Sequence, residues 1–194
     1  MVPRLRTALF TPSNMSSSNG GINRSIRHIT LAAMLLAVLY VQELLLSGLP
    51  NIQLTVVLIM VYAAVLPLSL SLPIVIGYVL LDNLLFGTIS LIYTPAMFFS
   101  WMLLAIVAKL LSKKSFYAIL GFAVLFAFLY GWSFIPANIM VQGITNFWPY
   151  LWADLPFELI MALSNFVSVL LLYRPLKSIL KNLYEPSSSS LDLE

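Results

Sequence analysis

The sequence predicts an all-α membrane protein with six transmembrane helices. Of its 194 residues, 61% are hydrophobic and only 9% are charged, whereas about a quarter of a soluble domain is charged. The mean hydropathy is +0.98. Apolar blocks of about 17 or more residues, enough for a helix to cross a bilayer, recur along the chain. These blocks are continuous and Leu-rich rather than alternating, which favours helices over barrel strands.

Proline, glycine and charged residues divide the chain into six predicted spans. The first follows a basic tail and should set the orientation of the others. The spans cover residues 29–46, 51–67, 70–88, 93–112, 116–142 and 150–173. We expect the fifth to bend or end near Pro136, and the sixth to stop at Arg174-Pro175. Residues 1–28 are predicted to be a largely disordered basic tail, 29–174 the membrane domain, and 175–194 a cytoplasmic tail with a short basic helix at 176–184.

The basic residues predict which side of the membrane each connection faces. All ten lie in the N-terminal tail, in the connection between spans 4 and 5 (with the end of span 4), or in the C-terminal tail. With six spans these regions share one side, which the positive-inside rule makes cytoplasmic. The connection between spans 2 and 3 carries no charge, so a re-entrant pair is an alternative to two full spans. Four acids fall in the outer part, where no base can pair with them: Glu43, Asp82, Asp154 and Glu158.

Several function classes lack their sequence signatures. The chain has no cysteine, which excludes disulfides, thiolate catalysis and Cys-ligated metals. It has no GxxxxGK[ST] phosphate loop, no HExxH segment and no GxSxG segment. The single histidine, His28, is interpreted as an interfacial residue at the start of span 1. We therefore expect no enzyme activity, cofactor, metal or nucleic-acid partner.

Polar side chains in the apolar spans predict a small-molecule site in the outer half. An acid at the centre of a span costs about 2.5–3.5 kcal/mol, so Glu158 should be protonated, hydrated or facing a ligand, unless span 6 lies shallower. The other polar candidates are Asp82, Asn83, Asn138, Gln142, Asn146 and Asn165. Each alone is compatible with hydrogen bonding between helices. Together they place amide and carboxylate groups at one depth on three spans.

Aromatic side chains are predicted at the same level. All four tryptophans occur in spans 4–6 or their outer connections. An interfacial aromatic belt explains any one of them, but a belt would mark both interfaces. A pocket for a flat ring explains the asymmetry. The aromatic candidates are Tyr93, Trp101, Trp132, Trp148, Tyr150 and Trp152.

The first span contains Ala33 and Ala37 at small-xxx-small spacing, which lets another helix approach closely. That helix could belong to this chain or to a partner. The segment AMLLA at 33–37 joins several other features: six spans with both ends inside, no nucleotide motif, an aromatic and amide-rich outer half, and LDNL at 81–84 followed by Gly87. Together they resemble the substrate-binding S components of energy-coupling factor (ECF) vitamin transporters, over residues 29–174.

The resemblance implies a water-soluble vitamin bound near the outer face, with the loop at 48–51 as a lid. It implies that Ala33 and Ala37 dock on a transmembrane coupling protein that carries two ATPase subunits. ATP would be hydrolysed only in those partners, and the chain would lie in the plasma membrane of a prokaryote.

The charge map bears on the ligand. A carboxylate or phosphate would be expected to recruit Lys or Arg, and none is predicted on the outer side. This favours a neutral or weakly basic aromatic compound, such as a hydroxymethylpyrimidine or a pyridoxine-like ring. An anionic vitamin such as pantothenate is an alternative, because backbone N–H groups at helix ends also bind anions. A stand-alone facilitator or secondary carrier is a competing hypothesis, and so is a membrane-embedded enzyme or assembly factor.

Overall fold

The computed structural model describes residues 13–85, 87 and 89–185, with side chains from Ser25 onward except that of Asn146. Every regular element of this part of the chain is helical. The helices are α1 (Ser13–Leu46), α2 (Thr55–Val65), α3 (Leu68–Leu85), α4 (Tyr93–Leu111), α5 (Phe116–Ser133), α6 (Ile135–Gln142) and α7 (Phe147–Tyr184), with a 3-10 turn at Ile144–Asn146. The predicted all-α class is confirmed for these residues.

Five segments of the described chain are long and apolar enough to cross a membrane: Ser25–Leu46, α3, α4, Phe116–Gln142 and α7. The protein is therefore a multi-pass membrane protein. The sixth apolar helix, α2, has only 11 residues and is about 16 Å long at the helical rise. A hydrocarbon core is about 30 Å thick. Residues 51–67 thus form a short helix with irregular flanks, where the sequence predicts a full span.

The short helix α2 occupies the centre of the bundle. Nine of its 11 residues are buried, and it packs mainly on α4 and α7. Because protein surrounds it, α2 needs no polar face, which accounts for its unbroken apolar sequence. Beyond its C-terminal end, the carbonyl oxygen of Leu66 accepts a hydrogen bond from Nζ of Lys109 at 2.7 Å.

The long C-terminal helix α7 continues beyond the stop that the sequence predicts at residues 174–175. It contains Pro156 and Pro175 and ends at Tyr184. A proline inside a helix removes one backbone hydrogen bond, and tertiary packing offsets that loss here. Leu180 is buried in the core, and the ring of Tyr184 stacks on His28 of α1 with centroids 5.7 Å apart.

The N-terminal helix α1 also extends beyond its predicted bounds. It begins at Ser13, so residues 13–28 are helical where the sequence predicts a disordered tail; residues 1–12 lie outside the described residues. A guanidinium nitrogen of Arg27 donates to the carbonyl oxygens of Leu183 at 2.8 Å and Tyr184 at 3.2 Å. We call this end of the bundle, where α1 meets the end of α7, the termini end.

The predicted interruption near Pro136 is confirmed. α5 ends at Ser133 and α6 begins at Ile135, so the proline lies in the first turn of α6. A missing backbone N–H is tolerated there, because first-turn N–H groups have no partner within the helix. The break places α6 beside the connection to α7.

Candidate functional site

A two-lobed polar cavity lies at the end of the bundle opposite the termini end. The α3 lobe, about 270 Å³, lies among α1, α3, α4, α5 and the α1–α2 loop. The α7 lobe, about 130 Å³, lies between α5 and α7. Asn51 of the loop, at a positive φ of 59°, and Tyr130 of α5 line both lobes. The two lobes therefore adjoin and form one site of a size suited to a small molecule.

The α3 lobe combines a carboxylate pair with a buried indole. Glu43 of α1 accepts a hydrogen bond from the hydroxyl of Tyr78, and the Asp82 side chain lies next to that of Glu43. Trp101 is only 1% exposed, and its ring centroid is 5.6 Å from that of Tyr78 and 5.1 Å from that of Tyr130. The side chain of Tyr130 lies beside its indole N–H, but the two groups form no hydrogen bond of regular geometry. This lobe therefore contains a weakly engaged donor beside two acceptors.

The α7 lobe contains a second carboxylate pair. Asp154 and Glu158 lie one turn apart on α7, and Tyr150 donates a hydrogen bond of 3.3 Å to Oδ2 of Asp154. Glu158 is 3% exposed. The indole of Trp132 approaches its carboxylate, but neither carboxylate oxygen receives a hydrogen bond of regular geometry from the described residues. Gly131 of α5 makes room for both acids. A Cβ at that position would overlap Oε1 of Glu158 and lie 2.8 Å from Oδ2 of Asp154.

In the part of the chain that the structure describes, no basic side chain lines either lobe. The four lining carboxylates belong to Glu43, Asp82, Asp154 and Glu158. A buried carboxylate without a partner is costly, so the site is short of hydrogen-bond donors. Chemically, it can accept hydrogen bonds at both lobes and can pack a flat ring against its aromatic walls.

Comparison with known proteins does not assign the chain to a family. No protein-family model matches it, and neither does a curated protein or a solved structure. The proposals below therefore depend on the lining residues and their geometry.

Hydrogen bonds anchor the loop that covers the α3 lobe. Oε1 of Gln42 accepts from the backbone N–H of Leu54 at 2.9 Å, and its Nε2 donates to Oγ1 of Thr55 at 2.7 Å. Ser164 of α7 bonds to the backbone N–H and carbonyl of Gln53, each at 3.3 Å. Residues 53–55 are thus fixed to α1 and α7, and the residues before them line the cavity.

We expect Gln42→Leu to loosen this loop while preserving the side-chain volume. The variant removes two hydrogen bonds worth about 1 kcal/mol each, so backbone hydrogen exchange at residues 53–55 should rise about tenfold or more. Exchange measured by mass spectrometry on peptides covering 47–58 tests this, with peptides from α4 as the internal reference. Gln53→Leu is a matched control, because residue 53 is anchored through its backbone. Equal exchange in Gln42→Leu and wild type would contradict the anchoring role.

The structure separates the predicted site residues into groups. Asp82, Trp101 and Glu158 line the cavity, as does Tyr150. Trp148 and Trp152 are 63% and 68% exposed and suit an interfacial belt. Trp132 is 46% exposed, but its indole also approaches the carboxylate of Glu158 in the α7 lobe. The side chain of Asn146 lies outside the described residues.

The predicted amides mostly bond to neighbouring helices rather than line the cavity. Oδ1 of Asn138 accepts from the Tyr93 hydroxyl at 3.4 Å and from Nε2 of Gln142 at 3.3 Å. Oδ1 of Asn83 accepts from Oγ1 of Thr94 at 2.8 Å. These bonds join α6 and α3 to α4, which is the interhelical role with which each amide alone is compatible.

Asn165 has a similar role deeper in the bundle. It is fully buried, and its Nδ2 donates to the carbonyl oxygen of Ala123 on α5 at 3.0 Å. Asn165→Leu should therefore lower stability by about 0.6–1.7 kcal/mol, the range for polar contacts between membrane helices. Thermal unfolding in detergent measures the change. An unfolding midpoint equal to that of wild type would show that this bond contributes nothing.

Several lining residues are not among the predicted site residues: Glu43, Asn51, Tyr78, Tyr130, Gly131 and Asp154. Helical spacing is a signal for two of them. Tyr78 precedes Asp82 by four residues, and therefore shares its helix face. Asp154 precedes Glu158 by the same interval. The role of Gly131 has no sequence signal, because it depends on which helix packs against α5.

A second candidate surface is the side of α1 that points away from the bundle. We call it the outer face of α1, and it consists of Ala33, Met34, Ala37, Val38 and Val41. All five side chains are exposed. The apolar part of α1 is also the least buried of the five membrane-crossing segments. Ala33 and Ala37 therefore face away from the bundle, although their spacing alone is equally compatible with packing inside it.

Proposed function

We propose that this chain is the substrate-binding membrane subunit of an ECF-type importer. It binds a water-soluble vitamin or precursor with an aromatic, neutral or weakly basic ring. A transmembrane coupling protein and two ATPase subunits energise it in the plasma membrane of a prokaryote. The observation that carries this proposal is the cavity: a partly open site with polar side chains, at one end of an apolar bundle, with buried groups that lack regular hydrogen bonds.

The unpartnered groups support ligand binding. The buried indole N–H of Trp101 and the buried carboxylate of Glu158 both line the cavity without a hydrogen bond of regular geometry from the described chain. A buried unsatisfied polar group costs about 1–3 kcal/mol. A ligand that supplies an acceptor to one and a donor to the other removes that cost, and so gains affinity.

The distribution of charge supports an outward-facing site. Described basic residues cluster at or toward the termini end, and none lines the cavity: Arg27, Lys109, Lys113, Lys114, Arg174, Lys177 and Lys181. By the positive-inside rule, that end is cytoplasmic, with the cavity on the outer side. This corresponds to six membrane segments with both chain ends inside, where α2 and its flanks count as one.

The outer face of α1 supports the need for a partner. The sequence has no phosphate-binding loop, so an ATP-driven importer built on this chain would take its ATPase from a partner. Two exposed alanines one turn apart offer a partner helix a close approach.

Co-purification and reconstitution test the proposal. The tagged full chain, isolated from its native membrane under mild detergent, should recover one coupling protein and two ATPase subunits. In proteoliposomes, uptake should require all of them and ATP. Uptake by this chain alone would favour a stand-alone facilitator and overturn the proposal.

A further inference from the structure

We propose that the cavity selects an organic cation: a flat aromatic molecule with two nitrogen-bearing ends, at least one of them positively charged. One end is held by Glu43 and Asp82, and the other by Asp154 and Glu158. This inference rests on the proposed function, because it names the ligand class of the same site. The proposed function allows a neutral or weakly basic ring, whereas this inference requires a positively charged ligand.

The four acids of the cavity form two pairs. Glu43 and Asp82 are neighbours in the α3 lobe, and Asp154 and Glu158 flank Gly131 in the α7 lobe. Two adjacent carboxylates repel each other unless a proton or a positive charge lies between them. Among the described residues no basic side chain lines either lobe, so either a shared proton or a cation from outside must reduce this repulsion, and a bound cation takes the place of the proton.

The arrangement of the acids favours an organic cation over a metal ion. Within the described part of the chain, no three His, Cys, Asp or Glu side chains come together as a metal site would require. The four acids lie as two separate pairs instead. Two separated pairs match a molecule with two polar ends better than they match one ion.

An aromatic wall supports the same ligand class independently of the acids. Trp101 is buried and lines the α3 lobe. Its ring and that of Tyr130 are tilted by 49°, and Tyr130 lines both lobes. Aromatic faces attract organic cations and stack with flat rings. An aromatic ligand beside these residues extends from one carboxylate pair toward the other.

Ligands of different charge should bind this site differently. With a neutral ligand, Glu158 either takes up a proton or stays without a counter-charge, and an anion is repelled by every acid that is ionised. Hydrogen bonds to charged groups are stronger than those between neutral groups. Cationic ligands should therefore bind most tightly.

Four probes that share a benzene ring test the charge preference: 1,4-bis(aminomethyl)benzene, benzylamine, benzyl alcohol and benzoate. Titration calorimetry at neutral pH on the purified full chain in detergent gives their affinities. The diamine should bind most tightly and benzoate least. Each amine should exceed benzyl alcohol by about tenfold or more, as expected for hydrogen bonds to charged groups.

Carboxamide variants locate the preference. Glu158→Gln and Glu43→Gln should each lower the ratio of diamine to benzyl alcohol affinity by about tenfold. Glu185→Gln, the same change at an exposed position beyond α7, is the matched control and should keep the wild-type ratio. If a variant does not fold, as judged by gel filtration, the wild-type probe series remains a complete test.

The inference is overturned if benzyl alcohol or benzoate binds as tightly as the amines, if no probe binds, or if both folded variants keep the wild-type ratio. Failure of the proposed function has a different result. In that case the cation preference would persist, but uptake of the diamine into proteoliposomes would not depend on the ATPase subunits.

Discussion

Gly131→Ala should weaken binding at the α7 lobe. A methyl group at this position would overlap Oε1 of Glu158 and lie 2.8 Å from Oδ2 of Asp154. Contact between α5 and α7 is the most extensive in the bundle, so we expect the helices to stay in place while the two carboxylates turn away. The acids then leave the positions in which they flank the lobe. The affinity for 1,4-bis(aminomethyl)benzene should fall by about tenfold or more.

Gly121→Ala is the matched control on the same helix. A Cβ at position 121 meets no atom within 4 Å. An alanine in a helix is favoured over glycine by about 1 kcal/mol, so this variant should keep its affinity for the diamine and unfold at an equal or higher temperature. Calorimetry and thermal unfolding on both variants make the comparison. Wild-type affinity in Gly131→Ala would show that the α7 lobe does not contact the ligand.

The number and approximate positions of the helices could be predicted because apolar runs and breakers are local signals. The break at Pro136 and the bounds of α4 follow from such signals. The short length of α2 does not, since residues 56–66 form an unbroken apolar run and their burial depends on the helices around them. The continuation of α7 past Pro175 depends on contacts with α1, which lies at the other end of the sequence.

The site shows the same division between local and tertiary information. Acids are conspicuous in apolar spans, which is why Asp82 and Glu158 could be selected. Which acids face each other depends on helix packing, so the partnership of Glu43 with Asp82 could not be read from spacing. Tryptophan occurs both in interfacial aromatic belts and in ligand pockets. Only its burial in the structure distinguishes Trp101 from the exposed Trp148.

The double variant Ala33→Trp with Ala37→Trp should lose the coupling protein and ATPase subunits while the chain stays folded. Both alanines are exposed on the outer face of α1, so the indoles displace lipid rather than a helix of this chain. The unfolding midpoint and the affinity for the diamine should therefore match wild type. Small residues let two helix backbones approach closely, and a pair of indoles one turn apart prevents this.

Leu125→Trp on α5 provides the control for this experiment, because residue 125 is 50% exposed and receives the same indole on a different face. That variant should co-purify with the partners at the wild-type yield. If the variant with Ala33→Trp and Ala37→Trp recovers the partners at the wild-type yield, then α1 faces only lipid. Loss of the partners in both would point to a general effect of added bulk. If the partners are lost only in the variant with both alanines replaced by tryptophan, docking takes place on α1. Because α1 also carries Glu43, the docking surface and the cavity would then be linked through one helix.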